Sequence, residues 1–293
     1  TQVQALCDEL RDCVGWNAPI LIDQEGGRVQ RLRPPLAREF LPPLAQCQRA
    51  GAQASRAMYL RFRIIAAELQ ALGIDVNCAP VADIARPDTH PFLHNRCYGE
   101  TAAKVMGLAR AAANGLLDGG VVPVIKHMPG HGLGVVDSHH ALPQVAATAA
   151  VLEQDDFAVF TELNDLPMAM TAHVVYAAYD VLPATVSTQM LGIMRNQIGF
   201  SGLIMTDDIS MQALPGGLDA RAEAAITAGC DVVLHCSGVL EEMIAVSRVV
   251  GRMGSVARQR AERALAHRNV GGSVDISNLD AQLATLVGKQ ADD

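Results

Sequence analysis

Aromatic side chains are scarce, at 4% of 293 residues with a single tryptophan. That argues against a binding face built on stacked rings. It leaves Ala, Val, Leu and Gly to fill the interior, as expected where helices pack on a parallel sheet. Basic residues are also short, 23 Lys and Arg against 31 Asp and Glu, for a net charge of −8. Nucleic-acid partners rely on a basic surface, so none is expected, although a local basic pocket is still allowed. No apolar run reaches the ~18–20 residues of a membrane helix, so no membrane partner is expected. No signal peptide opens the chain. Disulfide pairing has little to work with: the seven cysteines make an odd count without a CxxC pair. Several sit in apolar runs, where Cys acts as a small hydrophobe. A reducing, cytoplasmic setting fits, and structural zinc does not.

What is present is apolar bulk. Half of the residues are hydrophobic, enough for one large core, and a strand–helix barrel of ordinary size is ~250 residues in a single domain. Without repeat, low-complexity tract or linker, residues 1–293 read as one domain.

Chemistry concentrates after the apolar run Val121-Val122-Pro123-Val124-Ile125, which reads as a buried strand. It opens directly onto Lys126-His127-Met128-Pro129-Gly130-His131-Gly132-Leu133-Gly134-Val135-Val136-Asp137-Ser138-His139-His140. Gly130, Gly132 and Gly134 suit a loop that folds tightly or moves. Asp137 and His139 are two apart, so in extended chain they point the same way. The carboxylate can then hold an imidazole N–H and raise the ring's basicity.

Other strand ends carry polar groups too. Ala18 to Ile22 leads into Asp23-Gln24-Glu25-Gly26-Gly27-Arg28-Val29-Gln30-Arg31. Asp23 and Arg31 have the directional bonds to grip hydroxyls, whereas Glu25 and Arg28 read as an ion pair stabilising the turn. Ile74 to Ile84 is a further strand, followed by a loop with His90, His94 and Arg96. The two histidines read as solvated. Leu166 to Ala172 ends in His173, a ligand contact or a hydrogen-bonded supporting residue. Phe200 to Met205 ends in Thr206-Asp207-Asp208-Ile209-Ser210-Met211. Strand alternation lets only one of the two carboxylates face the barrel axis.

Around these strands the spacing predicts helices over 2–14 (Val3, Leu6, Leu10 and Val14 on one face), 49–72, 101–118, 149–163, 187–197, 220–228, 239–249 and 255–267. A last short helix from Val274 is expected to cover the barrel. Asp231 and His235 read as structural.

The Lys-His-x-Pro-Gly-His-Gly run, four residues, then Asp137-Ser138-His139 and Pro143 resemble the signature of glycoside hydrolase family 3, in its branch of bacterial β-N-acetylhexosaminidases of peptidoglycan recycling. The Asp23 to Arg31 segment is similar to the family's Asp-Gln-Glu-Gly-Gly-Arg-Val-x-Arg motif. The resemblance spans Ile20 to about Cys236 and implies an α/β fold, a single (β/α)8-type TIM barrel. It also implies a first strand upstream of Thr1. That strand is expected to be missing or rearranged, and a signal peptide could have been lost with it. Six strands are readable where eight are expected. By the same resemblance Asp207 is the nucleophile, and His139 is the general acid/base with Asp137 orienting it. Asp23, Arg31, Arg96, Lys126 and His127 bind substrate; His131, His173 and Met211 are further candidates.

The implied activity is retaining removal of terminal GlcNAc from a muropeptide fragment, a small carbohydrate substrate, by a monomer or weak homodimer without cofactor. Within the family the alternatives are another exo-β-glycosidase, such as a β-glucosidase, or a phosphorylase in which phosphate replaces water. Outside it, an inactive sugar-binding protein stands beside a metal-dependent barrel hydrolase using His127, His131, His139, His140 and Asp137. Against metal, the histidines crowd one glycine-rich loop and form no His-x-His pair, so no metal is assigned.

Overall fold

The buried apolar runs become six parallel strands: β1 (Leu21–Ile22), β2 (Val76–Asn77), β3 (Val122–Met128), β4 (Met168–Thr171), β5 (Leu203–Asp208) and β6 (Val232–Leu234). The computed structural model describes residues 1–136, 141–268, 271–272 and 274–288. The strands pair in chain order, with Leu21 opposite Val76, Val76 opposite Val122, Val124 opposite Met168, Met168 opposite Leu203, and Met205 opposite Val232. Parallel strands taken in sequence and joined through helices curl into a barrel wall. The expected α/β barrel architecture is therefore present, in partly open form. Among the described residues no hydrogen-bonded pairing joins β1 to β6.

Alternation along the strands separates two layers. Val76, Val122, Val124, Met168, Met170, Leu203 and Met205 fill the concave side, while Val121, Ile125, Ala169 and Ile204 face the helices. Ala261 and Ala264 of the helix Ser255–Leu265 join the concave cluster. Arginines on and just after that helix grip the chain ahead of the strands. Arg260 reaches Asp231 (2.8 Å) before β6, Arg263 reaches the Ser201 carbonyl (3.2 Å) before β5, and Arg268 reaches Asp75 (2.9 Å) before β2. This helix closes the N-terminal base and leaves the C-terminal mouth for chemistry.

Several helices depart from the spacing argument. Residues Gln2–Val14 are helical, but Leu6, Leu10 and Val14 are each about half exposed and Cys7 is the buried residue. An i, i+4 apolar row marks a face without saying what covers it. The long helix begins as two pieces, Pro43–Ala50 and Ala54–Gln70, because Gly51 at φ 54° breaks the path. Met58, Leu60, Ile64, Leu69 and Leu72 of this stretch are all buried. The 149–163 stretch also splits, into Ala149–Gln154 and Asp156–Glu162, where Asp155 leaves helical geometry and the buried Asp156 pairs with Arg86. The final helix Ile276–Val287 packs outside on Ala54–Gln70 rather than over the barrel.

Candidate active site

The β1 end is built by glutamines as much as by charges. The Gln24 side-chain carbonyl accepts from the Arg31 and Leu32 amides (both 3.0 Å), and the Gln24 backbone exchanges two bonds with Asn77 of β2. The hairpin Gln24–Gly26 against Val29–Gln30 is thereby fixed to the sheet. Beneath it, the fully buried Arg61 donates to the carbonyls of Glu25 and Leu41 and to Gln46. Its guanidinium sits 5.0 Å from the Phe40 ring.

Glu25 does not pair with Arg28. It receives a two-pronged bond from Arg96 (2.9 and 2.8 Å) and a third contact from Lys126 (2.7 Å). Strand pleating sends Glu25 inward toward those cations, leaving Arg28 exposed. Lys126 also reaches Asp23 (2.7 Å), which Arg31 meets from its other oxygen (3.2 Å). Burial would raise the Asp23 carboxyl, but Lys126 and Arg31 hold it well below the usual range. Burial likewise opposes ionisation of Glu25, and Arg96 with Lys126 outweighs it. Lys126 is almost wholly buried; its two carboxylates keep it firmly charged against the desolvation that would neutralise it.

Asp83, absent from the sequence-based candidates, organises the end of β3. Its Oδ2 takes the His127 Nδ1 proton (2.6 Å), and its Oδ1 accepts from the His131 amide (2.6 Å). A carboxylate on Nδ1 fixes the tautomer, so the Nε2 lone pair faces the pocket and Arg96 (3.5 Å). The glycines that follow serve close packing. Residues 130–132 and Gly134 are buried. The Gly130 carbonyl accepts from Tyr176 (2.6 Å) and the Gly132 carbonyl from Thr89 (2.6 Å).

At the end of β5, the Asp207 side chain borders the cavity with Oδ1 on the Asp208 amide (2.8 Å). Burial pushes its carboxyl up, but His127, His173, the Asp208 N–H and Lys126 together bring it below the usual value. Burial lowers the His173 ring below its ordinary value. Asp208 also borders the cavity, contrary to strict strand alternation, while its carboxylate accepts from Ser210 and from the Cys236 amide (3.1 Å). His173 does not border the pocket: its ring bonds Thr185 (2.7 Å) and the Asp208 carbonyl (3.0 Å), holding the chain beside Asp207.

The resulting pocket has a volume of about 250 Å³, and Asp23, Arg31, Arg96, Lys126, His127 and Asp207 all line it. His131 and Met211 border it as well. The β1 and β3 ends supply fixed cations and carboxylates suited to several hydroxyl groups; the β5 end supplies the half-buried carboxylates of Asp207 and Asp208. Asp137 and His139 lie outside the described residues, as do Ser138 and His140.

Comparison with known proteins gives this arrangement a family. The sequence profile of the "Glycosyl hydrolase family 3 N terminal domain" matches residues 4–268. The chain belongs to glycosyl hydrolase family 3. The family's beta-hexosaminidase of Alkalilimnicola ehrlichii is 39% identical over 243 residues, covering 80% of this chain and 70% of that protein. NagZ of Neisseria gonorrhoeae superposes with a TM-score of 0.84 at 30% identity, over 98% of this chain and 86% of that one. The family 3 β-N-acetylglucosaminidase of Paenibacillus sp. str. FPU-7 gives a TM-score of 0.85 at 31% identity, covering 98% of this chain and 60% of that chain.

Within this family 3 site, the residues that sequence reasoning missed are supports. Asp83 stands at a strand end, the position that singled out Asp23 and Asp207, and that signal could have found it. Arg61 gave none, because a helical arginine between Leu60 and Phe62 reads as a surface residue until its carbonyl partners are known.

Proposed function

We propose that the pocket removes a terminal β-linked N-acetylglucosamine with retention of configuration, the sugar coming from a muropeptide fragment. The observation carrying this reading is the ionised, half-buried Asp207 at the end of β5, lining the same pocket as Asp23, Lys126 and Arg96 of the Asp23–Lys126–Glu25–Arg96 cluster at the ends of β1 and β3. The cluster grips the non-reacting hydroxyls, which fixes the ring and helps distort it toward the transition state. His127, its tautomer set by Asp83, adds an acceptor. The Asp207 carboxylate then attacks the anomeric carbon as the bond to the leaving oxygen breaks.

His139, oriented by Asp137, protonates that oxygen and in the second step takes a proton from water, which releases the sugar from Asp207. A neutral imidazole also admits phosphate at that step, so added phosphate and analysis for GlcNAc 1-phosphate separate hydrolysis from phosphorolysis. The relatives named for hexosaminidase activity support the N-acetyl sugar over glucose.

The test is a fluorosugar trap followed by mass spectrometry. The mass of one 5-fluoro-N-acetylglucosaminyl group on the peptide containing Asp207 is expected. A label on any other peptide, or preferential trapping by the glucose-configured reagent when N-acetyl aryl glycosides are not cleaved, overturns the assignment.

A further inference from the structure

Arg28 belongs to the Asp23–Arg31 motif, yet the site described above does not use it. The Glu25 carboxylate is taken by Arg96 and Lys126. No described residue forms an ion pair or hydrogen bond with the Arg28 side chain. That side chain is exposed and borders two cavities at once. One is the 250 Å³ pocket; the other is a groove of about 860 Å³ between the 38–42 segment and the helix Ile276–Val287.

The pocket is smaller than the ~300–1,000 Å³ of sites that enclose a drug-sized ligand. It suits one sugar ring and leaves the remainder of the substrate outside. The groove is the larger of the two spaces that Arg28 borders, so the chain beyond the cleaved bond has a ready path past this residue. The groove's other charges are satisfied internally: Arg33 is paired with Glu39, and Arg38 with Asp280. Phe40, Leu41, Leu283 and Val287 supply apolar wall. One guanidinium is thus left to meet a ligand. The chain carries a net −8, so an anionic substrate approaching it gains most from a cation at the point of entry.

We propose that this groove is the leaving-group subsite and that Arg28 selects aglycones bearing a carboxylate. The inference rests on the pocket holding the GlcNAc ring. A planar guanidinium at the rim takes a carboxylate through two parallel bonds, and the apolar wall beyond accepts the arm that carries it. Selection acts on kcat/KM, because the aglycone is still held in the transition state of glycosyl transfer and has left before the glycosyl-enzyme is hydrolysed.

The experiment uses two GlcNAc β-glycosides whose aglycones differ only at the end of a methylene-spaced arm, carboxylate in one and carboxamide in the other. For the unaltered chain, kcat/KM is expected to favour the carboxylate at least tenfold, with the preference shrinking as salt is raised. In Arg28→Gln the ratio should fall to within twofold of unity, and in Arg28→Glu it should reverse. A ratio near one in the unaltered chain overturns the proposal, and so does a preference that survives both substitutions. If neither glycoside is cleaved by the unaltered chain, the N-acetylglucosaminidase reading fails first and takes this inference with it.

Discussion

Lys126 has two carboxylates at 2.7 Å and almost no access to water, so its charge is fixed by geometry and not by solvent. With His127, His173 and the Asp208 N–H, this cation helps keep Asp207 ionised against the desolvation that would otherwise protonate it. Asp207→Asn preserves shape and hydrogen-bonding reach while removing the attacking anion. Turnover is expected to fall on the order of 10⁴-fold or more, with GlcNAc binding by calorimetry retained within a few-fold. Retained turnover would move the nucleophile elsewhere, with Asp208 next to test. A second residue-scale prediction concerns pH. Burial, helped by His127, lowers the His131 ring from 6.5 to about 4. Below its ordinary pKa the unfolded ring binds a proton that the folded one refuses. Its stabilising contribution is therefore present above pH 6.5 and lost as pH falls. Burial raises Asp156 from 3.8 to about 6 despite Arg86. That contribution has the opposite sign, full below pH 3.8 and lost as pH rises through 6. The two slopes offset each other over about pH 4–6. Asp156→Asn removes one of them, so between pH 7 and 4.5 the variant should lose about 2 kcal/mol of unfolding free energy relative to the parent. Urea titrations at the two pH values measure it, and parallel pH dependence in parent and variant would refute the opposition.

Among elements, the glycine-rich turn after β3 shows what a sequence conceals. Its residue types suit a tight or moving loop; in the fold, residues 130–132 and Gly134 form a packed plug whose backbone presses on its neighbours. A Cβ on Gly132 would sit 2.1 Å from the Ile84 carbonyl oxygen, and backbone there has little room to retreat. Gly132→Ala is expected to cost about 1–3 kcal/mol, or roughly 2–10 °C in Tm. It should also reduce kcat/KM, because the displaced turn carries the His131 amide away from the carboxylate that orients His127. Gly107→Ala is the control: nothing lies within 4 Å of the added carbon in that helix, so its Tm should hold or rise slightly. Equal behaviour of the two variants would remove the packing argument. Strand ends, by contrast, were legible from sequence. Apolar runs stopping at Asp23, Lys126 and Asp207 located three corners of the pocket, because a buried strand must surrender its polar residues where it emerges. The helix faces were less so: Leu6 and Leu10 obey helical spacing and still point to solvent. Long-range partners were not legible at all, since Glu25 finds Arg96 across 71 positions.

For the whole molecule, the two ends of the sheet do different work. The C-terminal mouth gathers charges that must stay poised for a ligand, whereas the N-terminal base gathers charges that satisfy one another. Asp231 is the centre of the base, with Arg195 at 2.5 Å, Arg260 at 2.8 Å and the Ile204 amide at 2.9 Å, all on a side chain only 4% exposed. Through Arg260 it ties the closing helix Ser255–Leu265 to β6, and through Ile204 it ties β6 to β5. Removing a buried partner strands the charges that faced it, a loss of about 3–5 kcal/mol. Asp231→Ala should therefore lower Tm markedly, while kcat per molecule reactive toward the fluorosugar trap stays within about twofold at 25 °C. The labelled fraction counts folded sites, so stability and chemistry are read separately. A collapse of kcat in protein that still labels fully would mean that the base transmits its strain up β5 to Asp207, and the division of labour between the two ends would be wrong.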